Sequence, residues 1–555
     1  MIKNININMY SDKKSVRQLI SLLKAHGITK VVLCPGSQVA PLIQTCLQVT
    51  SFTCYPMNDH RSAGFFALGL ALHEAAPVAV ICTAGNGLTN MLPAVAEAFQ
   101  QQVPLVLISA DTVPTRMKEP LAFGDIVKKA VNLPEVQGEE DALACNRLIN
   151  EALLESKHHG KGPVHINIQL SDPAFGCNAT ELEDERVIVR YQGLNMYEQD
   201  YQPLVERLNK LKKRMVVAGQ MNNIYEFDKK HEATLAKQFV WFTESLSNHT
   251  TPGRPIRRME ELLYPMDLKT QDNLAPELLI TFGGAIVSRR LKYFLRKHKP
   301  LEHWHVSKDG EVYDAFGALT AIIEMDPFEF FEKIAPLIED VPPLYPRQWS
   351  QLEEKLPEPR FPYSEMHVVG QLMAALPKGC SLHLGNSSVV RMAQLFGMPE
   401  EVEIQSNMGL EGAEGALATA LGYATASEKI NFVVLGDLSF FSGMTALWNS
   451  NYGSNIRIMV INNGGNAQQQ NLPGFTPDER TLRMITGAHQ ASAKAWAEDR
   501  GFTYLSVHNE EELKAALPAF VKPDITRQPL FLEVFTDKAS DAEALKQYYK
   551  SLKKN

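Results

Sequence analysis

"LGDLSFFSGMTALWNSNYGSNIRIMVINNGG", Leu435 to Gly465, is the stretch whose reading decides the fold. It begins inside the apolar run NFVVLGD and ends on a second, IRIMVINN. Both read as strands, as the short apolar runs of a helix-covered parallel sheet do. A helical segment fits between them. On a strand–helix–strand unit the two strand ends lie side by side at the sheet's carboxyl edge, where such sheets bind ligands. Asp437 closes the first strand and Asn462-Asn463 the second. A carboxylate, an amide oxygen and the carbonyl of Gly464 or Gly465 are thereby gathered around one point. Hard oxygen ligands of this kind suit Mg²⁺ or Ca²⁺, with diphosphate oxygens completing the shell. A lone GD or NN is also ordinary turn chemistry; the spacing on this pattern makes the signal specific.

The same rhythm extends outward. CSLHLG and PLFLEVF read as further strands of the last third. In the first third KVVLCPG, PVAVICTAGN and PLVLISAD read as strands and PLIQTCLQ as a helix. The informative residues there follow the strand ends: Gly36-Ser37-Gln38, Thr83 to Asn86, and Asp111-Thr112. RMVVAGQ and ELLITFGG are strand candidates of a middle section. The charged stretch ELEDERVIV marks a boundary near 181–189, and six prolines between Pro342 and Pro362 mark a second linker without regular structure. The outer thirds look like two versions of one layered design.

Composition sets the bounds. The chain has 555 residues, 45% hydrophobic and 21% charged, enough for about three or four globular domains. It has no apolar run of membrane-spanning length, and MIKNININMYSDKK does not read as a signal peptide. A net charge of −8 disfavours nucleic acid and anionic membrane surfaces as partners. Seven scattered cysteines without CxxC spacing read as free thiols of a reducing cytoplasm, not a zinc site.

The GD…NN spacing is similar to the cofactor motif of thiamine-diphosphate (ThDP) enzymes. CPGSQVAPL, DHRSAGFFALGLA, LHLGNSSVVR, SNMGLEGAEGALATALG and GDLSFF then extend the likeness over nearly the whole chain. Together they resemble the 2-succinyl-5-enolpyruvyl-6-hydroxy-3-cyclohexene-1-carboxylate synthases of menaquinone biosynthesis. That family decarboxylates 2-oxoglutarate on ThDP and adds the four-carbon remainder to isochorismate. The resemblance implies a three-domain α/β fold, each domain a mostly parallel sheet flanked by helices. The expected limits are a pyrimidine-binding-like domain at 1–180, a middle domain at 190–340, a Pro-rich linker at 341–362 and a diphosphate-binding-like domain at 363–555. It also implies ThDP with Mg²⁺ (or Mn²⁺), and a homodimer or homotetramer with its active site between subunits.

Carried over by position, the resemblance makes Asp437, Asn463 and the Gly465 carbonyl the metal ligands. It places Asn407, Gly409, Ala413, Ser439, Thr83 and Gly85 at the cofactor. Ser37, Gln38, Ser387, Arg391, Arg289 and Arg290 fall at the substrates, and His60 at the catalytic position. In GNSSVVR, Asn386 reads as a helix N-cap, and Ser387 and Arg391, four apart, reach one helix face. A hydroxyl plus a guanidinium can hold the distal carboxylate of 2-oxoglutarate; the plainer reading is a surface cap with a solvated arginine. The basic pair Arg289-Arg290 is weak as a bare signal.

Several positions depart from the family pattern. The family writes DER where this chain has Asp59-His60-Arg61. Its glutamate hydrogen-bonds the aminopyrimidine N1′ and so promotes loss of the C2 proton. Imidazole accepts a hydrogen bond with different reach, and its cation would repel a protonated ring. His60 is therefore expected to weaken cofactor activation, unless it merely starts a helix behind an Asp59 cap. Family arginines are replaced by Gln38, Thr112 and Met408, each a charge-assisted contact worth ~1.5–3 kcal/mol to a dicarboxylate acceptor. The family's aliphatic prop for the cofactor is Ala413, its IF pair is Gln468-Gln469, and its TSGT is TAGN. Three functions follow from the sequence. The first is a 2-oxoglutarate decarboxylase and carboligase of this family, with isochorismate or a less anionic acceptor. The second is a divergent, non-catalytic or regulatory homologue. The third is another ThDP class acting on pyruvate, against which the Ser387/Arg391 clamp argues.

Overall fold

A computed structural model describes residues 9–111, 122–171, 176–190, 201–222, 225–399, 401–470 and 476–553. Its strands form three sheets. The first holds β1 (Lys30–Leu33), β2 (Thr53–Pro56), β3 (Val78–Thr83), β4 (Leu105–Asp111), β5 (Lys129–Leu133) and β6 (Val164–Gln169) in the order 2-1-3-4-6-5. The middle sheet holds β7 (Arg214–Ala218), β8 (Val240–Thr243), β9 (Leu278–Phe282), β10 (Glu302–Val306) and β11 (Ala321–Ile323) in the order 11-10-9-7-8. The third holds β12 (Ser381–Leu384), β13 (Glu403–Gln405), β14 (Asn431–Gly436), β15 (Ile456–Asn462), β16 (Thr503–Val507) and β17 (Leu530–Phe535) in the order 13-12-14-15-17-16.

Strand pairing is parallel throughout the assigned pairs. Counted from its own first strand, the third sheet repeats the order of the first. In each, the first strand has its successor on one side and the third strand on the other. Loops leaving those strands diverge at the carboxyl edge and open a crevice there. β4 is buried along its whole length and β15 likewise, which is why both are predominantly apolar.

The described chain divides into two compact units. One is Met1–Gln192 with Glu414–Glu428 and Ser442–Ile456; the other is Gly193–Ala413 with Lys429–Phe441 and Arg457–Asn555. Within the first unit, the small-residue helix His60–Glu74 packs on the helix Ala416–Ala426. A Cβ on Gly69 would lie 1.9 Å from the Thr419 carbonyl oxygen, and one on Gly422 2.0 Å from that of Phe66. Only glycine admits this backbone approach. The stretch 181–189 lies extended against the first sheet's helices: the Ser21 hydroxyl donates to the Glu183 carbonyl, and Gln18 and Asn146 amides donate to the Glu185 carboxylate.

The Pro-rich linker corrects an expectation, because it contains a helix, Leu344–Glu353. Pro342 and Pro343 precede it and Pro346 falls in its first turn, where a missing N–H costs nothing. Trp349, fully buried, anchors it edge-on to Phe242 at 5.0 Å. Among the described residues no helix is long and apolar enough to cross a membrane.

Candidate active site

At the carboxyl edge of the third sheet, Asp437 and Asn463 follow neighbouring strands, as the spacing predicts. The Asn463 and Gly465 backbone N–H groups donate to Asp437 Oδ2 at 3.1 and 3.0 Å, and that of Leu438 to Oδ1 at 2.7 Å. These bonds fix a carboxylate that is almost fully buried. Burial pushes its pKa above the usual carboxylate range, opposed by the Gly465 N–H and by His489.

The two asparagines separate cleanly. Asn462 donates to the Ala491 carbonyl and the Glu533 carboxylate and accepts from the Gly464 N–H. It is a structural residue. Asn463 donates its amide nitrogen to Asp541 at 3.2 Å and Glu365 at 3.4 Å. Carboxylates offer only acceptors when ionised, so the nitrogen faces inward and the oxygen outward. The outward Oδ1 is buried and has no partner. The Gly464 carbonyl already accepts from Lys538 Nζ and the His489 N–H, which leaves the Gly465 carbonyl for an ion. An orphaned amide oxygen beside a fixed carboxylate fits a hard divalent cation. No cluster of three His, Cys, Asp or Glu side chains with metal geometry occurs among the described residues.

Sequence reasoning missed the residues behind this edge. Glu365 and Asp541 are buried, and burial raises both carboxyls. His489 Nδ1 accepts the Ala491 N–H, and its Nε2 stands 3.3 Å from Asp437 Oδ2. None belongs to a recognisable local motif. Ser439 donates to the Ala413 carbonyl, tying the turn at Ala413 to the segment after Asp437. Asn407 is buried.

Ser387 and Arg391 lie in the same unit. Ser387, with φ +75°, precedes the helix Ser388–Ala393, so Ser387 and not Asn386 is its cap residue. Asn386 instead accepts the Ser387 N–H at 2.5 Å. Arg391 reaches back, its Nη1 3.4 Å from the Ser387 carbonyl. A cavity of about 160 Å³ is lined by Arg391, Arg289, Gln468, Glu244, Glu260 and Tyr549. The basic pair divides there: Arg289 lines the cavity, while Arg290 stacks on Tyr264 at 4.5 Å and pairs with Glu260 at 3.3 Å. Burial pushes the Glu244 carboxyl up to about 7, opposed by the Val287 and Ser288 N–H groups. Met408 lies in the apolar core around β12.

The first sheet's edge is built differently. Asp59 caps the helix His60–Glu74, accepting the Ser62 N–H and hydroxyl and the Thr445 hydroxyl. His60 therefore does start a helix, half-buried, but its Nε2 is buried without a partner. A Cβ on Gly87 would lie 2.9 Å from His60 Nε2 and 2.6 Å from Thr83 Oγ1. A Cβ on Gly36 would lie 2.3 Å from Thr83 Cγ2. His60, Thr83, Gly36 and the turn at Gly85 (φ +68°) thus meet at the β1/β3 crevice, with Ser37 and Gln38 in the adjoining turn Ser37–Val39. Burial lowers the His60 pKa against the pull of Asp59, so the ring is neutral near pH 7. A neutral ring with a free nitrogen can make one hydrogen bond to a cofactor; it cannot supply a carboxylate's charge. Thr112 lies outside the described residues.

This arrangement defines a ThDP-binding enzyme. The N-terminal TPP-binding domain of thiamine pyrophosphate enzymes matches residues 13–128 and the C-terminal TPP-binding domain matches 384–534. The fold matches a solved thiamin diphosphate-dependent enzyme from Mycobacterium smegmatis at a TM-score of 0.69 and 17% identity, over 95% of this chain and all of that one. Curated proteins called 2-succinyl-5-enolpyruvyl-6-hydroxy-3-cyclohexene-1-carboxylate synthase are 54% identical in Bacteroides fragilis and in Bacteroides thetaiotaomicron, over 98% of this chain and all of each. One from Flavobacterium johnsoniae is 33% identical over 97% of this chain and 98% of its own. The chain belongs to the 2-succinyl-5-enolpyruvyl-6-hydroxy-3-cyclohexene-1-carboxylate synthase family.

Proposed function

We propose that the protein decarboxylates 2-oxoglutarate and transfers the four-carbon remainder to isochorismate, forming 2-succinyl-5-enolpyruvyl-6-hydroxy-3-cyclohexene-1-carboxylate. The whole-length likeness to synthases of that name carries this reading. The geometry agrees with it. Asp437, the Asn463 Oδ1 and the Gly465 carbonyl would hold Mg²⁺ or Mn²⁺ and through it the diphosphate. ThDP, when bound, supplies the electron sink for decarboxylation. Arg391, with Ser387 beside it, would orient the distal carboxylate of the donor. His60 would face the pyrimidine with its free nitrogen, and Thr83 and Gly85 shape that wall. Asn407, Gly409, Ala413 and Ser439 are assigned to the cofactor side, and Ser37, Gln38 and Arg289 to the acceptor side. The reading includes a homodimer or homotetramer with the active site shared between copies, and a cytoplasmic setting; all seven cysteines are free thiols.

A second reading rests on His60. Its uncharged ring and the absence of cations at Gln38 and Met408 favour a homologue with slower cofactor activation and a less anionic acceptor. One assay separates them. Purified protein with ThDP, Mg²⁺, 2-oxoglutarate and isochorismate should release CO₂ and form the synthase product, seen by mass spectrometry. CO₂ release without that product supports the second reading; no CO₂ release from protein with bound ThDP overturns the first.

A further inference from the structure

Glu411 lies in the run SNMGLEGAEG and takes φ +54°, a backbone conformation that a non-glycine residue adopts only when its surroundings hold it there. Its carboxylate is paired with two cations. Oε2 is 3.2 Å from Arg391 Nη2, and Oε1 is 3.5 Å from Lys292 Nζ. The two cations come from different helices, Ser388–Ala393 and Arg289–Lys297. One carboxylate with each oxygen turned to a separate cation is the geometry by which the far end of a dicarboxylate would be held. Arg391 also keeps a buried Nε without a partner, so its guanidinium has a donor to spare. Glu411 is 39% exposed against 20% for Arg391. The glutamate can swing into water while the arginine stays in place.

We propose that Glu411 is the resident occupant of the donor clamp: its carboxylate holds Arg391 and Lys292 until the distal carboxylate of a 2-oxo dicarboxylate displaces it. This rests on the reading that Arg391 binds the donor. The protein would then carry its own competitor for the substrate's charge. A 2-oxo monocarboxylate, lacking the displacing group, would leave the Glu411 pair intact. The clamp would thus select by exchange of one carboxylate for another, and its apparent donor affinity would be set partly by how tightly Glu411 sits.

The test is calorimetric titration of the ThDP-free, full-length protein with 2-oxoglutarate, and with 2-oxobutyrate as the monocarboxylate control. Glu411→Gln removes the charge. Glu411→Gly removes the side chain and suits the positive φ, which guards against misfolding. Both variants should bind 2-oxoglutarate about 1.5- to fivefold more tightly than wild type, the range that releasing one partly exposed ion pair gives. Binding of 2-oxobutyrate should not change. Arg391→Met should erase the gain in either background. If both Glu411 variants bind 2-oxoglutarate no better than wild type while Arg391→Met weakens binding, the donor assignment stands and the role of Glu411 is refuted. If Arg391→Met leaves wild-type binding intact, the donor assignment fails and the proposal with it. Wild-type binding too weak to titrate, beside measurable binding in both variants, also supports the proposal; no binding in any of the three counts against it.

Discussion

The two six-stranded sheets share one strand order, yet their carboxyl edges are finished to different degrees. At the third sheet's edge, among the described residues, Asn463 Oδ1 and His489 Nε2 are buried without a hydrogen bond, while the groups around them are held by protein partners. Asp437 is fixed by three N–H groups, the Asn463 nitrogen is turned inward by Glu365 and Asp541, and one oxygen is left free. At the first sheet's edge the free atom is a nitrogen of uncharged His60. One sheet's edge thus presents an unpartnered oxygen beside a fixed carboxylate, and the other an unpartnered imidazole nitrogen.

The comparison can be broken most severely at Asp437. Replacing it by alanine should weaken ThDP binding in the presence of Mg²⁺ by about two decades or more, since the diphosphate charge loses its counter-ion. Calorimetry on Asp437→Ala reads this directly, and unchanged affinity would remove the metal edge from the account. Next comes the donor clamp. Arg391→Ala should raise the KM for 2-oxoglutarate roughly ten- to a hundredfold, the worth of one charge-assisted pair. Wild-type protein that turns over pyruvate as well as 2-oxoglutarate would contradict the assignment.

The packing of the first unit sharpens the comparison from the side of stability. Gly422→Val would drive a side chain into the Phe66 carbonyl and should cost about 1–3 kcal/mol or more, measured as a lower denaturant midpoint. A smaller effect is expected from pH. Burial lowers the His383 pKa to about 4. As pH falls below the unfolded value of about 6.5, the unfolded chain takes up a proton that the folded one refuses, so the stability present above 6.5 is lost toward 4. Wild type should lose about 1 kcal/mol more than His383→Gln between pH 7 and 5.5; parallel curves would show that the ring is solvated.

Much of this was legible in the sequence, for a physical reason. β1, β3, β4, β14, β15 and β17 are predominantly apolar because helices cover both faces of their sheets, and Asp437 and Asn463 mark strand ends at a spacing one crossover sets. β5 and β6 were not legible. They carry Asn132, His165 and Asn167, whose buried hydrogen bonds with one another and with Ser109 interrupt the apolar pattern. Glu365 and Asp541 were missed because they act on Asn463 from 98 and 78 residues away, a relation only the folded sheet creates. The helix in the Pro-rich linker was hidden because prolines that precede a helix or fill its first turn read, in sequence, like prolines that forbid one. The Ser387 cap was displaced by one residue because its positive φ belongs to a turn that the neighbouring Asn386 stabilises.

The contrast between the two edges is tested most directly by NMR-monitored hydrogen–deuterium exchange at C2 of bound ThDP, in wild type and in His60→Glu. A carboxylate at position 60 can stabilise a protonated pyrimidine by its charge as well as by a hydrogen bond, whereas a neutral imidazole offers the hydrogen bond alone, and acid–base assistance of this kind is typically worth ~10²–10⁴-fold. With both proteins saturated with ThDP and Mg²⁺, the account predicts equal cofactor affinity and exchange at least tenfold slower in wild type. Wild-type exchange as fast as that of His60→Glu would contradict it.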